Sequence, residues 1–177
     1  MGFRLLARTT IGLLFVGHGK QKLFGWFGGG GPEEAQFFEQ LGIRPGRRYA
    51  LSAGAAEAGG GLLFALGAAT PIAASALSRV MITAIKTVHW EKGIWSTGGG
   101  YEYNLVLLAA VFGLTENGPG TFSVDGALGK HRWGTGWAVA ALAAGAAGSA
   151  TVLAGAKLQP KRETEPPETE GEPVTAR

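Results

Sequence analysis

At 177 residues the chain has the size of one domain, and 46% of it is hydrophobic, 16% charged and none of it cysteine. Average soluble chains carry about 25% charged residues, so charge is thin here, and the missing cysteines exclude disulfide shuttling to a quinone. A pI near 9.4 does not indicate nucleic-acid binding, because the basic residues sit at the ends of apolar segments rather than in a stripe.

Five apolar segments follow in chain order. The first is Phe3–Phe24, the second Tyr49–Ala69 and the third Pro71–Trp90, the last two forming a tight hairpin across Thr70-Pro71. The fourth, Tyr101–Thr115, is short, and the fifth, Gly136–Ala156, is Ala-rich and uncharged. A membrane-spanning helix needs about 20 residues. The pattern therefore predicts an all-α membrane protein: a four-helix transmembrane core over 1–125, then a loop and a fifth transmembrane helix over 126–156. Residues 157–177 hold nine of the 29 charges and almost no large apolar side chain, which predicts a disordered tail. A soluble helical bundle is disfavoured, because no segment carries a polar face of helical period. Arg4 and Arg8 before "TTIGLLFVG" imitate a signal peptide, but no small-x-small site precedes Lys20 and Lys22, which predicts a retained helix.

Between the first two segments, Gly28–Gly31 lack the Gly-Lys-Ser/Thr ending of a phosphate loop. Pro32, Glu33 and Glu34 start a short helix whose Phe37, Phe38 and Leu41 suit an interfacial position. Trp26, Trp90, Trp95, Tyr101 and Tyr103 fall around the same membrane surface, as an aromatic belt does.

The polar residues inside the apolar segments carry most of the functional signal. With the N-terminal side called A and the opposite side B, His18 and Lys22 lie near the B end of the first helix. Glu57 lies eight residues into the second, about 12 Å at 1.5 Å per residue. Arg79 is near mid-depth on the third helix, with Lys86 and His89 closer to side B, and Glu102 and Asn104 open the fourth. Arg79, Thr83, Lys86 and His89 follow a one-face helical spacing, as do Arg8, Ile11, Phe15, His18 and Lys22. A mid-bilayer charge costs about 2.5–3.5 kcal/mol, so these residues are expected to face the bundle and one another, with Glu57 as counter-charge to the Arg79–Lys86 face. Snorkelling is the competing reading for Lys22, Lys86 and Glu102. His18 and His89 could in principle ligate a haem, or a metal with Glu57 or Glu102, but such a pair is more often hydrogen-bonded structure. Neither group is assigned.

These residues also carry a resemblance. Arg8, Gly19 with Lys22, Glu57 with Gly60 and Gly61, then "AIKTVHWEKG", "GGYEYNLVLLAA" and "GPGTFSVD" resemble the DoxX family of small bacterial membrane proteins over residues 4–125. The resemblance implies a four-helix membrane core in a bacterial plasma membrane. It also implies kinship with the DoxD-type subunit of a thiosulfate:quinone oxidoreductase, and with relatives that form redox complexes with superoxide dismutase and a sulfurtransferase. No catalytic residue carries over.

Two functions stay open. One is a quinone-linked redox subunit whose side-B pocket takes a quinone or a small sulfur oxyanion. Arg79 and Lys86 suit an anion, and a histidine such as His89 can move a proton near neutral pH. The other is a non-catalytic scaffold or small-solute carrier with structural charges. The partners expected are lipid and redox proteins, with an oligomer open. Basic residues favour side B as cytoplasmic: Lys22, Arg44, Arg47, Arg48, Lys92, Lys157, Lys161 and Arg162 against Arg4, Lys130 and Arg132 on side A. That balance depends on the fifth helix crossing.

Overall fold

The structure is a computed structural model and describes residues 2–157. The expectation of a disordered tail therefore lies, beyond Lys157, outside the described residues. Seven α-helices run in chain order: α1 (Gly2–Phe24), α2 (Gly31–Gln40), α3 (Gly46–Leu66), α4 (Thr70–Ala84), α5 (Glu102–Asn117), α6 (Val124–Ala127) and α7 (Thr135–Lys157). Beyond Ala84, α4 continues through a π-helical turn, Ile85–His89, and a last 3-10 turn, Trp90–Lys92. Among the described residues there is no strand.

Among the described residues three helices are long and apolar enough to cross a membrane: Gly46–Leu66, Thr70–Lys92 and Thr135–Ala156. The first segment forms a helix of sufficient length, 23 residues, but carries Arg4, Arg8, Lys20 and Lys22. The fourth is 16 residues, about 24 Å, short for a span on its own. Both are nevertheless staves of one bundle. Leu6, Leu13, Leu62, Leu66, Ile72, Val106 and Val139 are exposed on it, and only 22% of the apolar α7 segment is buried. An apolar perimeter on this scale has lipid as its solvent, which makes this an all-α membrane protein.

Glycine sets the tightest contact. A Cβ at Gly12 would lie 2.5 Å from the Gly61 carbonyl oxygen, and one at Gly19 would lie 2.4 Å from the Ala58 nitrogen. Only bare backbone lets α1 approach α3 this closely, the usual device of helices packing in lipid. The α3–α4 hairpin turns on Gly67 in the left-handed region (φ 62°), with Ala68 N–H bonded to Leu63 O and Gly67 N–H to Phe64 O. That pair of bonds satisfies two carbonyls at the helix end. Helix α4 is central, touching α3, α5 and α7. Its Ala73, Ala74, Leu77, Val80 and Met81 meet Phe15, Phe64, Leu107, Val111, Leu114 and Ala141 in the core.

Helix α7 starts beside the end of α5, where Gly134 N–H donates to Glu116 O and the Thr135 hydroxyl to Glu116 Oε1. It finishes with Val152 and Ala156 packed near Tyr49 at the opposite end of the bundle. The fifth helix thus runs from side A to side B.

Candidate functional site

On side A, Arg8 and Asp125 close the bundle. Arg8 is buried on α1, and its guanidinium donates to the carbonyls of Ala65 and Phe122. Asp125 is also buried; Oδ1 accepts from Ala69 N–H (2.8 Å), and Oδ2 from Thr70 N–H (2.9 Å), the Thr70 hydroxyl (2.7 Å) and Trp133 Nε1–H (3.1 Å). Burial pushes this carboxyl up, but the bonds from Thr70, Ala69 and Trp133 outweigh it and hold it below the ordinary aspartate value. The carboxylate caps α4 from a distant loop, satisfying amides that the helix itself leaves open. In the sequence this loop enters only through the "GPGTFSVD" stretch of the family resemblance, with no role marked for Asp125.

Side B holds a cavity of two lobes. The inner lobe, about 370 Å³, lies between α1, α4 and α5 and is lined by Phe15, His18, Lys22, Glu57, His89 and Asn104, among others. The outer lobe, about 250 Å³, lies under α2 between α3, α4 and α7, and is lined mainly by apolar side chains with Ser52, Arg79, Thr83 and Thr87. Lys22, Glu57, Met81, Ala84 and His89 line both lobes.

The wall between them is an ion pair. Lys22 Nζ lies 2.9 Å from Glu57 Oε2, with side chains 17% and 4% exposed. It is the only ion pair among the described residues. The contact is out of hydrogen-bond alignment, so Glu57 Oε2 has a charge partner but no aligned donor. Gly54 places Lys22 here: a Cβ at that position would lie 3.0 Å from Lys22 Cβ. His89 Nδ1 lies 2.7 Å from Gly99 O. A carbonyl only accepts, so Nδ1 carries the hydrogen and Nε2 is the nitrogen left for the cavity. Asn104 is buried, and its amide donates to Met81 Sδ at 3.3 Å.

Of the eight residues expected to gather here, His18, Lys22, Glu57, His89 and Asn104 line the inner lobe. The expected pairing of Glu57 with Arg79 and Lys86 is overturned: Glu57 meets Lys22. Arg79 turns to Ser52, its Nη2 donating to Ser52 O (3.1 Å) and both Nη atoms reaching Ser52 Oγ at 3.3 and 3.4 Å. Lys86 lies outside the cavity, 4.8 Å from the centre of the exposed Trp90 ring, which stacks on Tyr101. Glu102 also stays outside, accepting from the Ser96 amide and hydroxyl at 3.0 and 2.8 Å. The cause on α4 is the π-helical turn. It puts an extra residue into the turn and breaks the single face that regular spacing gives Arg79, Thr83 and Lys86. Among the described residues no trio of His, Asp or Glu converges closely enough to hold a metal.

A bundle of apolar helices around a polar-ended cavity defines an integral, multi-pass membrane protein. The DoxX family model matches residues 3–90, from α1 through the π-helical turn, and the chain belongs to the DoxX family. No curated protein and no solved structure matches the chain significantly.

Proposed function

We propose that the chain is the quinone-binding membrane subunit of a redox complex in the bacterial plasma membrane, with side B toward the cytoplasm. The observation that carries this reading is the buried Lys22–Glu57 pair beside His89 at the polar end of a largely apolar cavity. The inner lobe falls within the roughly 300–1,000 Å³ of small-molecule sites. Phe15, Leu107 and Met81 offer apolar surface to a ring, and the lobe is rimmed by the exposed Leu14, His18 and Tyr103. There α1 and α5 are only thinly packed, leaving room for an apolar tail to pass toward lipid.

A bound quinone supplies the acceptor chemistry, taking two electrons and two protons. No side chain here is a redox centre, so the electrons come from a partner protein. Lys22 donates toward a ring carbonyl, and Glu57 balances its charge in the low-dielectric interior. His89, fixed through Nδ1 by Gly99 O, offers Nε2 for proton transfer.

The test is purification in a mild non-ionic detergent, solvent extraction and quantification of quinone per chain, then titration with a short-tailed benzoquinone. Near-stoichiometric quinone and saturable binding are expected. Loss of a hydrogen bond to a charged group, about 1.5–3 kcal/mol, weakens binding about ten- to 150-fold in Lys22→Met. Folded protein that neither carries nor binds quinone overturns the proposal in favour of a scaffold whose charges serve folding.

A further inference from the structure

The outer lobe contains a cation that the quinone reading does not use. Arg79 is nine residues into α4, and its aliphatic stem runs against α7, where Gly148 leaves room: a Cβ there would lie 3.0 Å from Arg79 Cδ. Among the described residues its guanidinium hydrogen-bonds only the hydroxyl and carbonyl of Ser52, both neutral, at 3.1–3.4 Å. The bond to Ser52 O has the ordinary length for a neutral acceptor, and the two to Ser52 Oγ are long, so none is the short charge-assisted bond that a carboxylate gives. Among the described residues the one ion pair is Lys22–Glu57, and no carboxylate of those residues neutralises Arg79.

A charge in an apolar bundle without a counter-charge is costly, and the fork of a guanidinium matches a carboxylate in geometry. Most of the remaining lining is apolar, with Phe37, Phe38, Leu41, Ile43, Val80 and Val88 around the space that Arg79 borders; Ser52, Thr83 and Thr87 add hydroxyls, and His89 and the Lys22–Glu57 pair, whose charges offset each other, stand where it meets the inner lobe. At about 30 Å³ per water-sized group, 250 Å³ takes about eight such groups, so the lobe encloses most of one medium-length chain, whose end then reaches its mouth, and not two chains.

We infer that the outer lobe is a second ligand site, for a single-chain amphiphile whose carboxylate pairs with Arg79 and whose hydrocarbon body fills the space under α2. Charge complementarity selects an anionic head, of which a planar carboxylate is the smallest that meets the fork in two places, and volume selects the single chain. The site adjoins the inner lobe through the Lys22–Glu57 wall but does not depend on what the inner lobe binds.

The test uses full-length protein in phosphatidylcholine nanodiscs and radiolabelled decanoate, with decanol as the uncharged analogue and phosphatidylglycerol as the two-chain anionic competitor. Expected is saturable binding of about one decanoate per chain, at least ten-fold tighter than decanol and not displaced by phosphatidylglycerol. Arg79→Met loses the preference for decanoate over decanol, whereas Lys86→Met, whose cation faces Trp90, keeps it. If Arg79→Met does not fold, the decanoate-to-decanol ratio on the unmodified chain and on Arg79→Lys decides. Equal binding of decanol, full preference retained in Arg79→Met, displacement by phosphatidylglycerol or no saturable decanoate each overturns the inference. Quinone content of the same preparation is read separately, so failure of one site does not count against the other.

Discussion

Replacing Asp125 with asparagine removes one charge and little volume from the side-A closure. The carboxylate accepts four hydrogen bonds, one on Oδ1 and three on Oδ2. An asparagine can keep its oxygen at the Oδ2 position, but its NH₂ then faces the Ala69 N–H, donor against donor. One hydrogen bond to a charged acceptor is lost, about 1.5–3 kcal/mol. Loss of negative charge at the α4 N-terminus adds about 0.3–1 kcal/mol. The expected destabilisation at pH 7 is about 2–4 kcal/mol, which lowers Tm by about 4–16 °C for a chain of this size. The pH dependence has a definite sign. The folded Asp125 value lies below the ordinary one, so its contribution is present above about pH 4 and is lost as pH falls through the folded value. The asparagine variant has no such term, so the Tm gap should narrow between pH 5 and pH 3. The assay is thermal unfolding in detergent, followed by intrinsic fluorescence across that range. A variant within 2 °C of the parent at pH 7, or a gap that stays constant into acid, refutes the role given to this carboxylate.

Lys22→Met and Glu57→Gln should each destabilise by about 3–5 kcal/mol in the same assay, and the double variant by much less; additive losses would show that the two charges act apart. Gly12→Ala drives a methyl into the Gly61 carbonyl and should cost about 1–3 kcal/mol, whereas Gly17→Ala, with open space around it, should be nearly neutral. A periplasm-inactive reporter fused after Arg177 should be active if the proposed orientation, with side B toward the cytoplasm, holds, because α7 runs from side A to side B.

What the sequence made legible follows from periodicity and hydropathy. Apolar run lengths located the helices, with the fifth segment predicted from 136 to 156 and α7 found from Thr135 to Lys157. The short helix at Pro32 and the hairpin before Pro71 were marked by proline chemistry, and both are present. Convergence of His18, Lys22, Glu57, His89 and Asn104 was legible from depth, because residues counted from helix ends land at comparable levels. Pairing was not. Level along an axis leaves rotation about it undetermined, and the glycine-lined contact of α1 with α3 turned Lys22, not Arg79, toward Glu57. A π-helical turn has no periodic signature, so the change of face after Ala84 was hidden, and Lys86 was misplaced with it. Asp125 was missed for a different reason: it acts from a loop, 55 residues from Thr70, and no local pattern marks so distant a cap.

The contact between α4 and α7 has a consequence for biogenesis. The matched family segment ends at residue 90, yet α7 fits closely into α4: a Cβ at Gly145 would lie 2.6 Å from Ser78 Cβ, and the Thr83 hydroxyl meets that of Ser149 at 2.9 Å. During synthesis α4 leaves the ribosome long before α7. Until the last helix arrives, the insertion machinery must hold a half-built bundle with Ser78, Thr83 and the Arg79 stem turned to lipid. Docking of α7 therefore hides those groups late, after α1 to α5 have been translated.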